Sequence, residues 1–508
     1  MHSTHDVVII GGAFAGAATA LLLKREKPEL RIAIVERAVE FDRKVGEATT
    51  EVSGSFLTKR LGLANHLNNH HIAKQGLRFW FSGPDATDFG DCGELGSYYQ
   101  ARLPAYQVDR AVLDQHVLDL AVEAGATLLR PAKVSSIALS ETGAMHTLTV
   151  ENAEGKHTLT TPRIVDASGR AAVLARKLGT LRPLPEHPTN SIWARFRGVK
   201  DLDGDELRRR YPDYARAVQT SRTAATNHLT GYGWWCWIIP LKGGDTSVGL
   251  VYDERLYTPP ADGKLIERLQ AHLMAHPVGR ELLQGATPVA GDCKAYSALP
   301  YYSTQLAGPG WQMVGDAASF MDPLYSQGLD YCSWTVSSAV QRIVAECDGK
   351  TVDVADINTR FSRSYHAWFQ ALYKDKYYYL GDAELMRAAF LLDIGLWFFG
   401  PVREICKCPQ GGFQRFPFDG PVDGLVSKLM ALYNRRLAKL GAARQEAGTY
   451  GAENRRRTII PGFEPTPRVL RVVRKGLACW LRAECKAIWP RKKSKPVPLV
   501  AQVPILAS

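Results

Sequence analysis

A chain of 508 residues can bury a large core, and its length indicates two or three structural units. Its content of 45% hydrophobic and 22% charged residues is that of an ordinary soluble globular protein. The net charge of +12 does not indicate a nucleic-acid groove in the main body, because residues 453–495 hold 13 Lys or Arg against 3 acidic residues and so carry +10 of it.

The chain contains no run of about 20 uninterrupted apolar residues, so no membrane-spanning helix is predicted. Its first residues, MHSTHDVVII, lack the basic region and the apolar run of a secretory signal. The nine cysteines are scattered without a C-x-x-C pair, which favours reduced thiols. We therefore expect a cytoplasmic protein.

A βαβ unit stands at the N-terminus. Residues 6–10 (DVVII) form a short β-branched run that ends at two glycines, which is typical of a buried parallel strand. Residues 15–23 are rich in Ala and Leu and predict a helix, and residues 31–35 predict a second strand. This order predicts an α/β fold with a doubly wound, Rossmann-like domain.

The rest of the chain continues this domain and adds two further regions. A helix is predicted at 109–124, a hairpin at 147–161, and a strand at 164–166. Residues 191–253 alternate as in an antiparallel sheet, and helices dominate from about residue 352. We assign 1–190 and 285–345 to the nucleotide-binding domain, 191–284 to an inserted antiparallel-sheet substrate domain, 346–460 to a mainly helical C-terminal region, and 461–508 to a basic tail.

The turn after the first strand has the pattern of a dinucleotide site. Residues 11–16 are GGAFAG, and a glycine turn at a helix N-terminus lets a pyrophosphate meet backbone N–H groups. Glu36, about 20 residues further on, is placed to bind ribose hydroxyls. Ala13 stands where the G-x-G-x-x-G pattern has its second glycine, so its methyl group crowds the phosphate. The candidate cofactor-binding residues here are Gly11, Gly12, Ala13, Ala15, Gly16, Glu36 and Arg37.

Two later segments fit the same ligand. Gly315 and Asp316 end an apolar strand at a helix start, where the carboxylate can reach ribitol hydroxyls. Asp166 and Gly169 belong to a tight turn of small residues after another strand. Each segment alone is compatible with an ordinary turn, but the three in this order indicate FAD.

Together with residues 106–110 (YQVDR), these segments resemble the FAD-dependent aromatic hydroxylases and their relatives over roughly residues 6–345. Within that class, three further features resemble the flavin-dependent halogenases. The resemblance implies an FAD-binding fold. In residues 44–48, Ala48 replaces the serine of the family's K-V-G-E-S motif. The cofactor contacts that the resemblance adds are Lys44, Val45, Gly46, Glu47, Ala48, Arg110 and Pro323.

The first feature is a pair of tryptophans. Residues 235–240 (WCWIIP) match the family's W-x-W-x-I-P motif. In that family a wall of rigid, apolar indoles is taken to keep the organic substrate away from the flavin, so that the halide reacts first. The resemblance assigns this shielding role to Trp235 and Trp237. Composition alone favours a cross-strand aromatic cluster in a β core.

The second feature is a turn at residues 320–328 (FMDPLYSQG), which matches the family's F-x-D-P-x-x-S-x-G. A halide needs backbone N–H donors at a strained turn or helix start. The resemblance places chloride or bromide at Ser326, Gln327 and Gly328. Hydroxylases have a similar Asp-Pro turn, so the motif indicates the flavin more firmly than the halide. Tryptophan halogenases carry Glu before the serine, whereas Tyr325 stands here, which argues against free tryptophan as the substrate.

The third feature is Lys74, which opens residues 74–81 (KQGLRFWF) and matches the K-x-G-x-x-F setting of the family's catalytic lysine. An ammonium group there can hydrogen-bond hypohalous acid or form a haloamine, and partial desolvation would tune its pKa for either. An isolated lysine is most often a solvated surface residue. His66, His70 and His71 lie nearby without metal-ligand spacing; we interpret them as exposed and predict no metal site.

The predicted activity is therefore halogenation of an electron-rich aromatic ring, a phenol or pyrrole, either free or bound to a carrier protein. The resemblance implies reduced FAD supplied by a separate flavin reductase, together with O2 and chloride or bromide. Three alternatives stay open: an FAD-dependent aromatic monooxygenase, a flavoprotein that binds FAD poorly because of Ala13 and has an interaction role, and a reductase of isoprenoid double bonds.

The basic tail needs an interpretation of its own. Residues 468–489 place apolar residues among many basic ones, which is typical of a basic amphipathic helix. Such a helix can lie peripherally on an anionic membrane, dock on an acidic carrier protein, or present a solvated face. The sequence leaves these three open.

Overall fold

The computed structural model describes residues 2–98, 103–407, 412–460 and 465–488. The elements up to residue 183 are β1 (His2–Thr4), β2 (Val7–Ile10), α1 (Phe14–Glu26), β3 (Ile32–Val35), α2 (Glu51–Ser55), α3 (Ala64–His70), β4 (Ile72–Ala73), β5 (Leu77–Phe81), β6 (Gly93–Ser97), β7 (Tyr106–Gln107), α4 (Arg110–Glu123), β8 (Thr127–Leu129), β9 (Lys133–Ala138), β10 (His146–Asn152), β11 (Gly155–Thr161), β12 (Ile164–Asp166), α5 (Val173–Lys177) and β13 (Leu181–Pro183).

The middle of the chain contains β14 (Thr189–Arg197), α6 (Asp205–Arg210), α7 (Pro212–Arg216), β15 (Thr226–Gly231), β16 (Trp234–Pro240), β17 (Thr246–Asp253), α8 (Leu265–Ala275), α9 (Pro277–Leu283), β18 (Thr287–Pro288), β19 (Lys294–Tyr296), β20 (Tyr301–Ser303), β21 (Ala307–Gly308), β22 (Trp311–Met313), β23 (Ser319–Phe320) and α10 (Gly328–Cys347). The last third contains α11 (Val354–Leu372), α12 (Ala383–Trp397), α13 (Arg403–Lys407), α14 (Pro421–Glu446), β24 (Thr458–Ile460) and α15 (Val469–Ile488).

A six-stranded sheet with the order β21-β22-β12-β2-β3-β8 carries the N-terminal βαβ unit. Val7 pairs in parallel with Ile32, and Ile164 lies between Val8 and Trp311. All four residues of β2 are buried, because α1 and α10 cover this part of the sheet, and α4 packs on α1. The predicted doubly wound α/β fold is confirmed, and so are the helix predicted at 109–124 and the hairpin formed by β10 and β11.

The second large sheet has the order β18-β14-β17-β16-β15-β5-β6-β24 and is mainly antiparallel, as predicted for residues 191–253. It extends beyond residues 191–284, because β15 pairs in parallel with β5 and β24 pairs with β6. The two faces of β16 enter different cores: Trp235 and Trp237 belong to the larger core, and Cys236 and Ile238 pack toward α8 and α9. The domain boundaries themselves stay a prediction.

The C-terminal region is helical, as predicted. Helix α12 is buried along almost its whole length, and α11 and α14 pack beside it. One segment, Ala383–Lys407, is long and apolar enough to cross a membrane, but 72% of its apolar window is buried inside the protein, as in the core helix of a folded domain.

The predicted amphipathic helix of the tail is confirmed as α15, which packs on α12. Gly476 of α15 faces Leu392, and Gly395 of α12 faces Val473; a Cβ at either glycine would lie within 2.8 and 2.7 Å of these side chains. The small residues let the two helices approach closely. One face of α15 is therefore packed against the protein core.

Candidate active site

The glycine turn after β2 has the geometry of a phosphate cradle. Gly11 has a φ of +100°, and a Cβ there would lie 2.5 Å from the carbonyl oxygen of Ala167. A Cβ on Gly16 would clash with the carbonyl oxygen of Gly11. Ala13 is the N-cap of α1 and has an extended backbone. The turn therefore holds the N-terminus of α1 at the carboxyl end of the sheet, where it fits the pyrophosphate of FAD.

Glu36 closes the same end of the sheet. Its carboxylate accepts hydrogen bonds from the backbone N–H of Gly12 at 2.7 Å and of Ala38 at 2.8 Å. These two bonds fix the carboxylate beside the glycine turn, where the ribose of a dinucleotide is expected. Arg37 is exposed at the edge of this cradle.

The second predicted segment lies directly against the first. A Cβ on Gly315 would be 3.2 Å from the Cβ of Ala15, so the strand end of β22 meets the start of α1. Burial raises the pKa of Asp316, whereas the nearby cations Arg110 and Lys44 act in the opposite direction. The structure thus brings the first and second motifs together on one ligand surface.

The third predicted segment shapes its own turn. The carboxylate of Asp166 accepts the backbone N–H of Ser168 at 2.9 Å and of Leu174 at 2.7 Å, and it is fully buried. Gly169 follows with a φ of +63°. We infer that Asp166 supports the cradle rather than binding the cofactor through its side chain.

The loop at residues 44–48 lies across α4. Arg110 donates to the carboxylate of Asp114 at 3.0 Å and to the carbonyl oxygen of Gly46 at 3.4 Å, and Lys44 forms an ion pair with the same Asp114. Val45 is half-buried beside them, and its carbonyl oxygen accepts from Arg110 at 3.5 Å. Arg110 therefore positions this loop over the cradle.

Glu47 and Ala48 face the protein interior. The Glu47 carboxyl accepts from Arg195 at 2.8 Å, and Arg195 also donates to Asp109 at 2.9 Å. Burial raises the pKa of Glu47 to about 7 despite this partner. Ala48 is buried and bridges to Gln107 in β7. We expect Glu47 to anchor the loop through Arg195.

The turn between β23 and α10 is strained. Tyr325 and Ser326 have φ values of +67° and +62°, a conformation that costs energy in residues other than glycine. The carboxylate of Asp322 accepts the backbone N–H of Leu324 at 2.9 Å and holds the start of the turn, beside half-buried Pro323. Such strain is often stored at functional sites.

The strained turn delivers the chain into α10. Gln327 is the N-cap of α10, and Gly328 is its first residue. The first N–H groups of a helix have no acceptor within the helix, and the helix dipole favours an anion there. The side-chain oxygen of Gln327 accepts from Tyr373 at 2.7 Å and from Trp368 at 2.5 Å, which fixes this residue.

Two cavities meet at Gln327, which lines both. The smaller one, here called the cofactor-side cavity, spans about 380 Å³ with its open mouth. It is lined by Gly315, Asp316, Ser319, Phe320, Met321, Asp322, Gln327, Gly328, Tyr331, Cys332, Trp368 and Tyr373. The larger one, here called the lysine cavity, encloses about 870 Å³ with its open mouth. Its polar lining is Thr49, Thr50, Glu51, Lys74, Ser97, Tyr325, Gln327 and Asp393, and its other lining residues include Leu77, Leu372, Phe390, Ile394, Trp397, Phe398, Phe418 and Met430.

Lys74 projects into the lysine cavity and is not a surface residue. It is 5% exposed, and its Nζ donates to the carbonyl oxygen of Thr49 at 2.8 Å and to Oγ of Ser326 at 3.4 Å. Burial lowers its pKa to about 8, against the opposing charges of Glu51 and Asp330. The structure therefore places a readily deprotonated amine beside the strained turn.

This arrangement of cradle, turn and lysine is accompanied by a match of the chain to a known family. A family model described as tryptophan halogenase matches residues 6–100 and 91–374. The chain belongs to this family of flavin-dependent halogenases. Enzymes of this family use FAD, O2 and a halide.

Individual halogenases are similar over most of the chain. Flavin-dependent halogenase chlA of Dictyostelium discoideum is 27% identical over 75% of this chain, and tetracycline 7-halogenase of Kitasatospora aureofaciens is 28% identical over 67%. The alignments cover 67% and 63% of those relatives' own lengths. Two solved halogenases have the same fold: PltM, with a TM-score of 0.74 at 19% identity over 95% of this chain and 99% of that one, and the flavin-dependent brominase Bmp2, with 0.64 at 20% identity over 85% and 100%.

The two tryptophans of the halogenase motif lie behind the cavities rather than in their lining. Their rings are 5.9 Å apart, and both are buried on one face of β16. Trp237 donates to Oγ of Ser247 at 3.0 Å, and Trp235 donates to the hydroxyl of Tyr377 at 2.9 Å. Tyr377 in turn donates to Asp322, which lines the cofactor-side cavity. The shielding role of the indoles stays a prediction.

Several polar residues of the halogenase site were not predicted from the sequence. Glu51 begins α2 and lines the lysine cavity. Asp393 of α12 accepts from Tyr325 at 2.9 Å, from Lys376 at 2.6 Å and from Tyr433 at 2.6 Å. Asp393, Lys376 and Tyr433 come from the helical C-terminal region, where no family motif drew attention to them.

The interpretation of the three neighbouring histidines as exposed is wrong for His71. His71 is 4% exposed, and its Nδ1 accepts the backbone N–H of Asp109 at 3.2 Å. His66 is half-buried with its ring stacked on His116 at 3.8 Å, and His70 is exposed. Among the described residues, no group of three His, Cys, Asp or Glu side chains could hold a metal ion.

Proposed function

We propose that this protein uses reduced FAD, O2 and chloride or bromide to halogenate an activated phenol or pyrrole in the lysine cavity. The observation that carries the proposal is the position of Lys74. Its ammonium group is buried in the wall of the largely apolar lysine cavity, within hydrogen-bonding distance of Ser326, which precedes the Gln327 that lines both cavities.

Each residue then has a definable task. Bound FAD with O2 supplies the oxidising power that converts the halide to hypohalous acid. The backbone N–H groups of Gln327 and Gly328 hold the halide at the start of α10. Gln327 lies at the boundary of the two cavities, and Lys74 on the other side donates a proton toward the oxygen of hypohalous acid, which makes the halogen more electrophilic.

The lysine cavity favours a phenol or pyrrole over tryptophan, and a free substrate over one bound to a carrier protein. Tyr325 occupies the position of the tryptophan-halogenase glutamate and donates to Asp393, and we propose an already activated ring in place of tryptophan. We propose that the ring arrives free and enters the largely apolar cavity through its open mouth. A carrier-bound ring is the alternative; comparison of a free phenol with the same phenol tethered to a carrier protein separates the two.

We also propose that α15 permits peripheral contact with an anionic membrane. Leu470, Leu481 and Ile488 are exposed on this helix, next to basic Arg474 and Arg482. Co-sedimentation with phosphatidylserine vesicles, compared with phosphatidylcholine vesicles, tests this. Equal binding to the two kinds of vesicle would contradict membrane contact through α15. Binding by Leu481→Glu that is as strong as that of wild type would contradict it too.

The proposed activity is tested with the intact protein, FAD, a flavin reductase, NADH, bromide and a panel of phenols. We expect monobrominated product, seen as the isotope doublet of bromine by mass spectrometry, and none without bromide. Hydroxylated product that forms without halide would instead establish the monooxygenase, and so would NADH oxidation coupled to hydroxylation without the reductase. Failure of the purified protein to bind FAD would favour the interaction role.

A further inference from the structure

The structure points to a residue that removes the proton displaced by the halogen. Electrophilic substitution leaves an arenium ion, which regains aromaticity only by losing the proton from the carbon that took the halogen. A carboxylate positioned beside the ring can take that proton as general base. In the part of the chain that the structure describes, three carboxyl groups lie in or at the lysine cavity: Glu51 and Asp393 line it, and Asp330 lies behind Thr50.

Two of these carboxyl groups are already committed to the fold. Asp393 accepts from Tyr325, Lys376 and Tyr433 at 2.6 to 2.9 Å, which occupies both of its oxygens. Asp330 accepts from the Thr50 hydroxyl at 2.8 Å and from the backbone N–H of Ser53 at 2.9 Å, and so ties α10 to α2. Protonating either group would cost these bonds.

Glu51 has a different environment. It is the first residue of α2, directly after Thr50, whose side chain caps the helix. Its carboxylate accepts from its own backbone N–H, interacts with the charges of Lys74 and Asp330, and is half-buried in the cavity wall. A carboxylate so placed faces the same space as the ammonium group that directs the halogen.

We propose that Glu51 is the general base of this halogenase; the inference rests on the proposed function. The ring carbon attacks the halogen of hypohalous acid, the carbon–halogen bond forms, and the oxygen–halogen bond breaks. The departing hydroxide takes a proton from Lys74 and leaves as water. The arenium C–H proton passes to Glu51, which returns it to Lys74 through solvent, so that charge and protons balance.

The electrostatics are consistent with this role. Burial raises the pKa of Glu51 above its usual range, against the opposing effect of Lys74. A carboxylate with a raised pKa is a stronger base near neutral pH. Lys74, with its pKa lowered to about 8, can give up its proton in the same cycle.

The test compares Glu51→Gln with wild type in single-turnover bromination of resorcinol and of ring-deuterated resorcinol. We expect the variant to bind FAD normally and to lose roughly 10²-fold in rate, as for removal of a general base. We also expect a primary deuterium isotope effect that wild type lacks, because C–H cleavage becomes rate-limiting. Glu51→Asp should recover part of the rate, and Glu154→Gln, on an exposed turn, should match wild type.

The outcomes separate the two proposals. If wild type brominates resorcinol and Glu51→Gln does so equally fast without an isotope effect, the role of Glu51 is wrong and halogenation stands. A slow Glu51→Gln that shows no isotope effect also overturns it, because only substrate placement would then be damaged. If wild type makes no brominated product from any phenol, the proposed function itself fails.

Discussion

The indole nitrogen of Trp235 donates a hydrogen bond of 2.9 Å to the hydroxyl of Tyr377. The same hydroxyl donates to the carboxylate of Asp322 at 2.9 Å, and His187 contacts that carboxylate at 3.0 Å. The tryptophan of one halogenase motif is thereby connected through one tyrosine to the Asp-Pro turn of the other. The position of the indole and the geometry of the strained turn depend on each other.

This relationship predicts the behaviour of Tyr377→Phe. The variant leaves the Trp235 N–H without its buried acceptor and leaves Oδ2 of Asp322 with His187 as its remaining partner, which costs about 1–3 kcal/mol of unfolding free energy. We also expect more hydrogen peroxide per brominated product, because the turn beside the cofactor-side cavity loosens. The ratio is measured by parallel peroxide and product assays.

Tyr257→Phe is the matched control for this variant. It removes a hydroxyl contact of similar length, to His272 at 2.7 Å, beside Trp234 at the edge of the other hydrophobic core. It should lower stability without changing the peroxide-to-product ratio. Equal peroxide-to-product ratios in Tyr377→Phe and wild type would show that the hydrogen bonds of Tyr377 do not affect how much peroxide is lost per bromination.

A second prediction concerns a buried carboxylate of β6, the strand that pairs with β5 directly after Lys74. Glu94 of β6 accepts from Arg222 at 2.8 and 3.0 Å and forms an ion pair with Arg78 of β5, and all three side chains are buried. Glu94→Gln leaves two buried cations facing a neutral partner. We expect a loss of about 3–5 kcal/mol in unfolding free energy, measured by denaturant titration. A loss below about 1 kcal/mol would mean that the guanidinium groups find other partners.

The parts of the fold that could be predicted from the sequence are those encoded locally. The β-branched run before Gly11 and the alternation around Trp235 define β2 and β16 by their neighbours alone. The burial of Lys74 depends on the parallel pairing of β5 with β15, about 150 residues away, and no local pattern encodes such a pairing. Asp393 reaches the cavity from the other end of the chain, so only the tertiary fold reveals it.

The pH dependence of bromination should be bell-shaped. Lys74 must be protonated to polarise the hypohalous acid, and its pKa is lowered to about 8 by burial, so kcat/KM should fall as the pH rises through about 8. The acid limb reflects protonation of Glu51, whose pKa lies above its usual value. The other groups facing Lys74 are Asp330 and His228. A rate that stays constant up to pH 10 would contradict the need for the ammonium form.

Acid should destabilise the fold through His228. This ring stacks on Phe79 at 4.5 Å, its Nδ1 lies 3.0 Å from the carbonyl oxygen of Arg78, and burial lowers its pKa from 6.5 to about 3. The unfolded chain binds a proton at this site between pH 6.5 and 3, so the stability is complete above pH 6.5 and is lost as the pH falls.

At pH 5 the loss attributable to His228 is about 2 kcal/mol relative to pH 7. Denaturant unfolding of wild type and of His228→Gln at both pH values measures this loss. The change in unfolding free energy between pH 7 and pH 5 in the variant is subtracted from that in wild type. His2→Gln, at an exposed site, is the control. An equal pH dependence in His228→Gln and wild type would show that this ring is not the group that titrates.

The central claim is that Lys74 delivers the halogen to the ring, and it is tested most directly by Lys74→Met. The variant should bind FAD and oxidise bromide, with the released hypobromous acid trapped by added taurine. Its brominated phenol should fall by about 10²–10³-fold, the loss typical of removing one preorganised donor. Lys59→Met, at an exposed lysine, should behave as wild type. Wild-type amounts of brominated phenol from Lys74→Met would contradict the account.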